Sequence, residues 1–99
     1  MDKSTIVSVL QEQKEVLSTK FGIDRLGLFG SYAKGQERST SDIDLVYELR
    51  QGTSLTFSDL LTLEQLLSEK LEYSTVELVN LKYMNPIIRY DMQEDVIYV

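Results

Sequence analysis

Two aspartates, Asp42 and Asp44, stand one residue apart at the start of an apolar run that reads DIDLVYEL. Side chains alternate along a β-strand, so both carboxylates should face the same side, with their Cα atoms ~6.6 Å apart. At about 4 Å and an effective dielectric constant of about 20, two such charges repel each other by roughly 4 kcal/mol. The pair therefore predicts a bound cation. Mg²⁺ is the natural candidate, because it is a hard ion that takes carboxylate and phosphate oxygens.

The stretch GSYAKG, residues 30–35, predicts a site for phosphate. It follows a short apolar segment, DRLGLF, which reads as a strand ending at Gly30. A short helix is predicted to begin at Ser31 and to close at Gly35. Free N–H groups at the helix start and the Ser31 hydroxyl would then bind an anion, and Lys34 would add a positive charge one turn later.

A third carboxylate would complete a two-metal site, and Glu77 is the best-placed candidate. It is the lone charge within the apolar strand predicted for STVELV, residues 74–79. If these strands pair, a phosphate cradle and a carboxylate cluster lie side by side. Nucleotidyl transfer requires this combination, because metal ions must neutralise a triphosphate and hold the attacking and leaving oxygens in line.

The length, charge and composition of the chain exclude several classes of protein. The chain has 99 residues, of which 42% are hydrophobic, and this suits one compact domain over residues 1–99. A net charge of -6 repels phosphate backbones, so a nucleic acid is not expected as a direct partner. The absence of cysteine and histidine excludes disulfides, thiolate zinc sites and histidine-based triads. The N-terminus lacks the pattern of a signal peptide or a membrane span, so we expect a cytoplasmic protein with no membrane partner.

The order of predicted elements indicates an α/β (α+β) fold, a small mixed β-sheet with helices packed on it. The helices are predicted at residues 4–21, at 58–71 and from Asn85-Pro86 to about Glu94. The strands are predicted at residues 24–29, 42–49, 74–79 and 96–99.

The spacing of the motifs resembles a known signature. Gly30-Ser31, ten residues and then Asp42-x-Asp44 resemble the GSx₁₀DxD motif of the DNA polymerase β-like nucleotidyltransferase superfamily. The fuller text GSYAKG…SDIDL resembles its minimal nucleotidyltransferase branch, and the closing segment from STVELV to VIYV resembles that branch as well. The resemblance implies a polymerase β palm-like fold. It also implies that Asp42 and Asp44 bind two Mg²⁺ ions, while Glu77 binds the ion that activates the acceptor hydroxyl.

The same resemblance implies that Gly30, Ser31 and Lys34 contact the nucleotide phosphates. It implies Mg²⁺-dependent transfer of AMP from ATP to a protein hydroxyl, a tyrosine of a helical HEPN-type toxin, so that the chain acts as an antitoxin. Two positions depart from the family, which more often has arginine at position 34 and aspartate at position 77. Lysine keeps the charge but loses the fork geometry of arginine, and glutamate reaches about one methylene further.

Two alternatives belong to other functional classes. The chain could be a catalytically weak or inactive antitoxin that neutralises its partner by occlusion, and the departures at Lys34 and Glu77 favour this interpretation. It could also be a small-molecule nucleotidyltransferase whose acceptor pocket forms across a homodimer. Nucleotide-independent neutralisation would distinguish the first alternative, and a gene neighbourhood without a helical partner would favour the second.

Overall fold

The computed structural model describes residues 1–99 and contains four α-helices, one 3₁₀ turn and four β-strands. They follow in the order α1 (Lys3–Phe21), β1 (Ile23–Phe29), α2 (Gly30–Lys34), β2 (Ile43–Leu49), α3 (Phe57–Lys70), β3 (Val76–Asn80), the 3₁₀ turn (Leu81–Tyr83), α4 (Pro86–Met92) and β4 (Ile97–Tyr98). Every element predicted from the sequence is present. The boundaries move slightly: β2 begins after Asp42 rather than at it, and α4 ends at Met92 rather than near Glu94.

Local capping fixes the ends of the helices. Gly22 ends α1 in the left-handed conformation with φ 71°, which glycine adopts without steric penalty. The Thr56 hydroxyl and the Asp59 carboxylate form a capping box at the start of α3. The Asn85 side chain accepts a hydrogen bond of 2.8 Å from the Ile87 N–H and so caps α4. None of these helices combines the length and the apolar content that crossing a membrane requires.

The four strands form one mixed sheet in the order β3-β2-β1-β4. Strand β1 is antiparallel to both β2 and β4, whereas β2 and β3 are parallel. The parallel pair requires a crossover connection, and α3 provides it. The predicted small mixed sheet with packed helices is confirmed.

The two faces of the sheet differ in how they are covered. One face packs against α1 and α3 in the main core, with fully buried residues such as Leu28, Leu45 and Leu67. The other face carries Val46, which packs against a smaller cluster made by the 3₁₀ turn and α4. Asp44 and Glu77 alternate with main-core residues along their strands, so they lie on this second, less covered face.

Candidate active site

Parallel pairing of β2 with β3 places Asp44 directly opposite Glu77. Burial, a hydrogen bond with the Glu77 side chain, and the charges of Glu77 and Asp42 together raise the pKa of Asp44 to about 6, and burial is the largest cause. Below about pH 6, and in the absence of a cation, the two carboxyl groups therefore share a proton. Two neighbouring carboxylates of this kind also stabilise a cation that binds in place of the proton.

Asp42 stands apart from this pair. It is exposed, precedes the first residue of β2, and acts on Asp44 through its charge. Nowhere in the chain do three acidic side chains lie close enough together to hold a metal ion. The structure thus brings Asp44 and Glu77 together and leaves Asp42 beside them, and the three-carboxylate metal site stays a prediction.

The Gly30-Ser31 step lies against the same pair. Gly30 is the first residue of α2 and has φ +75°, a conformation that side chains other than glycine rarely adopt. A Cβ atom at this position would overlap the Asp44 carboxylate. Glycine therefore allows the start of α2 to approach Asp44, and this close approach brings the half-buried Ser31 to the site.

Lys34 is engaged elsewhere in this structure. Its side-chain nitrogen lies 3.2 Å from a carboxylate oxygen of Asp91 in α4, and both groups are partly or largely exposed to solvent. Gly35 follows in the left-handed conformation and ends α2, as predicted. The predicted contact between Lys34 and a phosphate remains a prediction, and it would require the ion pair to open.

A cavity of about 230 Å³ lies beside the carboxylate pair. Asp44, Glu77 and Asn85 supply its polar groups, and the remaining lining residues are Phe29, Val79, Tyr83, Met84 and Ile88. Sequence reasoning missed the residues from the 3₁₀ turn and α4. The two turn-forming asparagines that flank the 3₁₀ turn, Asn80 and Asn85, were the available signal that the chain folds back here.

Asp42 borders a different cavity, of about 650 Å³, which is rich in hydroxyl groups. Its hydroxyl-bearing lining residues are Tyr32, Ser39, Thr40, Ser41, Tyr73, Ser74 and Thr75. Asp42 therefore lines a polar cavity, whereas Asp44 and Glu77 line a smaller and mainly apolar one. Oxygen is the only ligand type that the acidic residues offer, and this donor chemistry fits Mg²⁺ at the Asp44–Glu77 pair.

Comparison with known proteins gives consistent matches over nearly the whole chain. The family model described as "Polymerase beta, Nucleotidyltransferase" matches residues 11–99. A Methanocaldococcus jannaschii protein that is provisionally named a protein adenylyltransferase is 36% identical over 97% of this chain and 96% of its own length. Protein adenylyltransferase MntA of Thermococcus cleftensis is 32% identical over 95% of this chain and 92% of its own length.

Two solved structures extend these matches. One, provisionally described as a minimal nucleotidyltransferase, aligns with a TM-score of 0.75 and 29% identity over 98% of this chain and 95% of that one. The other is a toxin–antitoxin crystal structure with AMP-PNP, with a TM-score of 0.61 and 25% identity. That alignment covers 89% of this chain and 64% of the other.

Proposed function

Because the chain belongs to the polymerase β nucleotidyltransferase family, we propose that it is a Mg²⁺-dependent protein adenylyltransferase that moves AMP from ATP to a hydroxyl of a protein partner. One observation carries the proposal: Asp44 and Glu77 pair across two strands, next to a glycine that lets the start of α2 approach Asp44. The names of the two relatives and the AMP-PNP in the toxin–antitoxin structure support the same chemistry.

The carboxylates have separate tasks in this proposal. Asp44 and Glu77 would hold Mg²⁺, and Asp42 would add negative charge beside them. A bound Mg²⁺ supplies charge neutralisation for the triphosphate and for the departing pyrophosphate. Gly30 and Ser31 would contact the phosphates, because the start of α2 lies against Asp44.

The two cavities suggest how the substrates are arranged. The hydroxyl-rich cavity at Asp42 suits the polar nucleotide, and the smaller cavity at Asp44 and Glu77 suits the acceptor side chain. The apolar walls of the smaller cavity favour an aromatic side chain with its hydroxyl towards the carboxylates. We propose that this acceptor is a tyrosine of a helical HEPN-type toxin, so that the chain acts as an antitoxin by modifying it.

The test needs a HEPN-type protein as the acceptor, and the genes on either side of the one for this chain are the first place to look for it. With ATP, Mg²⁺ and trace amounts of this chain, intact-mass spectrometry should detect one or more AMP groups on a tyrosine of that protein. The Asp42→Asn/Asp44→Asn double variant should bind the partner without modifying it or silencing its activity. An unmodified partner after prolonged incubation with the native chain would rule out the transferase.

A second measurement tests the metal site without relying on activity. A bound ligand raises the unfolding free energy by about 1.4 kcal/mol at ten times its dissociation constant. Mg²⁺ with ATP should therefore raise the melting temperature of the native chain and leave that of the Asp44→Asn variant nearly unchanged. Calorimetry should also give a higher ATP affinity with Mg²⁺ than without it. Equal affinities in the two conditions would contradict the metal assignment.

Two observations favour a second candidate, an antitoxin that works by occlusion alone. The three predicted metal ligands do not form a cluster, and Lys34 pairs with Asp91. If occlusion suffices, the double variant should neutralise the partner as well as the native chain does at equal stoichiometry, with no mass change in either case. Neutralisation by trace amounts of the native chain would exclude occlusion.

A further inference from the structure

Tyr83 lies where an acceptor side chain is expected. It is the last residue of the 3₁₀ turn, it is 75% exposed, and it lines the same cavity as Asp44 and Glu77. Six tyrosines are present in the chain, and Tyr83 is the one that borders this cavity. A hydroxyl of the chain itself is therefore available next to the carboxylate pair.

The other tyrosines are placed differently. Tyr32 and Tyr47 are buried in the main core, and Tyr98 packs against the smaller cluster on the second face of the sheet. Tyr73 borders the polar cavity next to Asp42, and Tyr90 is 78% exposed on α4 without lining either of the two cavities. Tyr90 is therefore a matched control, because it resembles Tyr83 in exposure but not in position.

The turn that carries Tyr83 is anchored at both ends. The Asn80 side chain accepts a hydrogen bond of 3.0 Å from the Lys82 N–H, and Leu81 and Met84 are buried on either side of the exposed pair between them. The Lys82 ammonium group lies 5.5 Å from the centroid of the Tyr83 ring. The Tyr83 hydroxyl forms no hydrogen bond within the chain, so it is free to react.

We propose, on the basis of the adenylyltransferase function above, that the chain adenylylates itself in cis at Tyr83. The Tyr83 oxygen forms a bond to the α-phosphorus of ATP, and the bond from this phosphorus to the oxygen that bridges to the β-phosphate breaks. Pyrophosphate leaves with that oxygen, and the phenolic proton passes to water. The product is a phosphodiester between AMP and Tyr83 at the mouth of the acceptor cavity.

The experiment uses the purified chain with ATP and Mg²⁺ and no partner. Intact-mass spectrometry should detect one adenylyl group for each chain, and peptide mapping of the native chain should place it on Tyr83. Tyr83→Phe should lose the modification, whereas Tyr90→Phe should keep it at the native rate. A reaction in cis is first order, so the fraction modified at a fixed time should not change on tenfold dilution.

The outcomes separate this proposal from the function on which it rests. If the chain modifies its partner but not itself, self-adenylylation is wrong and the adenylyltransferase function stands. If neither protein is modified, both proposals fail. Modification that maps to another tyrosine, persists in Tyr83→Phe or slows on dilution would also overturn the assignment to Tyr83 in cis. Melting temperatures verify that the two variants are folded. They are expected to match the native value, because both side chains are exposed.

Discussion

Replacing Asp44 with asparagine should stabilise the protein at neutral pH while abolishing transfer. The pKa of Asp44 rises from an ordinary 3.8 to about 6, first through burial and then through the hydrogen bond and charge of Glu77. At about 1.4 kcal/mol per pKa unit, this difference corresponds to about 3 kcal/mol. Solvent screening reduces the effect at a half-buried group, so we expect Asp44→Asn to raise the free energy of unfolding by about 1 to 2 kcal/mol.

The pH dependence has a definite sign. A raised pKa means that the folded state binds the proton more tightly than the unfolded state does. Below pH 3.8 the carboxyl group is neutral in both states, so it does not penalise folding. As the pH rises through about 6, the native chain loses stability relative to the variant. The advantage of Asp44→Asn should therefore be small at about pH 4 and complete above about pH 7.

Thermal denaturation across this pH range measures the effect. For a domain of this size, a gain of 1 kcal/mol corresponds to at least about 4 °C in melting temperature. Asp24→Asn is the matched control, because it also removes one carboxylate charge. Asp24 is exposed near the start of β1, whereas the site lies at the other end of that strand. Glu77→Gln should give a smaller gain, because it removes the repulsion but not the cost of burying Asp44. The double variant should gain less than the sum of the two single variants, because both changes remove the same repulsion.

Two results would refute this reasoning. A difference in melting temperature between Asp44→Asn and the native chain that stays constant with pH would show that the carboxyl group does not titrate as described. A loss of stability at about pH 8 would show that Asp44 makes a structural bond that asparagine cannot replace. An NMR titration of the Asp44 carboxyl carbon gives an independent value, which is expected near 6.

Three further predictions concern the surroundings of the site. Gly30→Ala should lower the free energy of unfolding by at least about 1 to 2 kcal/mol and abolish transfer, because φ +75° is strained for alanine and its Cβ would overlap Asp44. Urea denaturation measures the first effect and the partner assay the second. Unchanged transfer would contradict the close approach of α2 to Asp44. Lys34→Ala should weaken ATP binding in calorimetry, whereas Asp91→Ala should strengthen it by releasing Lys34 and change stability by less than about 1 kcal/mol. An unchanged ATP affinity in Lys34→Ala would mean that Lys34 does not contact a phosphate of ATP. Leu67→Ala, at a fully buried position of α3, should reduce the free energy of unfolding by about 2 to 5 kcal/mol in urea denaturation, and a loss below 1 kcal/mol would mean that this face is loosely packed.

Local structure was largely readable from the sequence. Gly22 and Gly35 end their helices in the left-handed conformation, and Asn85-Pro86 begins α4, as residue type alone predicted. The polymerase β-type fold that the Gly30-Ser31 and Asp42-x-Asp44 spacing implied is confirmed by the family match. The helix ends depend on backbone conformation and hydrogen bonds within a few residues, so a short stretch of sequence specifies them.

Some local details were missed. The 3₁₀ turn from Leu81 to Tyr83 was not predicted from the sequence, although the Asn80 side chain caps it by accepting a hydrogen bond from the Lys82 N–H. The predicted α4 also extended beyond Met92, because the polar residues that follow have no strong helix-breaking signal. Both errors lie in the segment that closes over the second face of the sheet.

The partners of the site residues were decided by tertiary structure. Asp44 and Glu77 meet because β2 and β3 pair in one particular parallel register, and a slip by one residue would turn Glu77 to the other face. The ion pair of Lys34 with Asp91, and the position of Tyr83 beside the carboxylates, depend on how α4 and its turn pack on the sheet. Sequence by itself determined which residues could do chemistry and, to within a few residues, where most of the helices and strands lie. Which of those residues meet was decided only by the tertiary structure. The burial of apolar side chains on both faces of the sheet joins segments that are far apart in the chain.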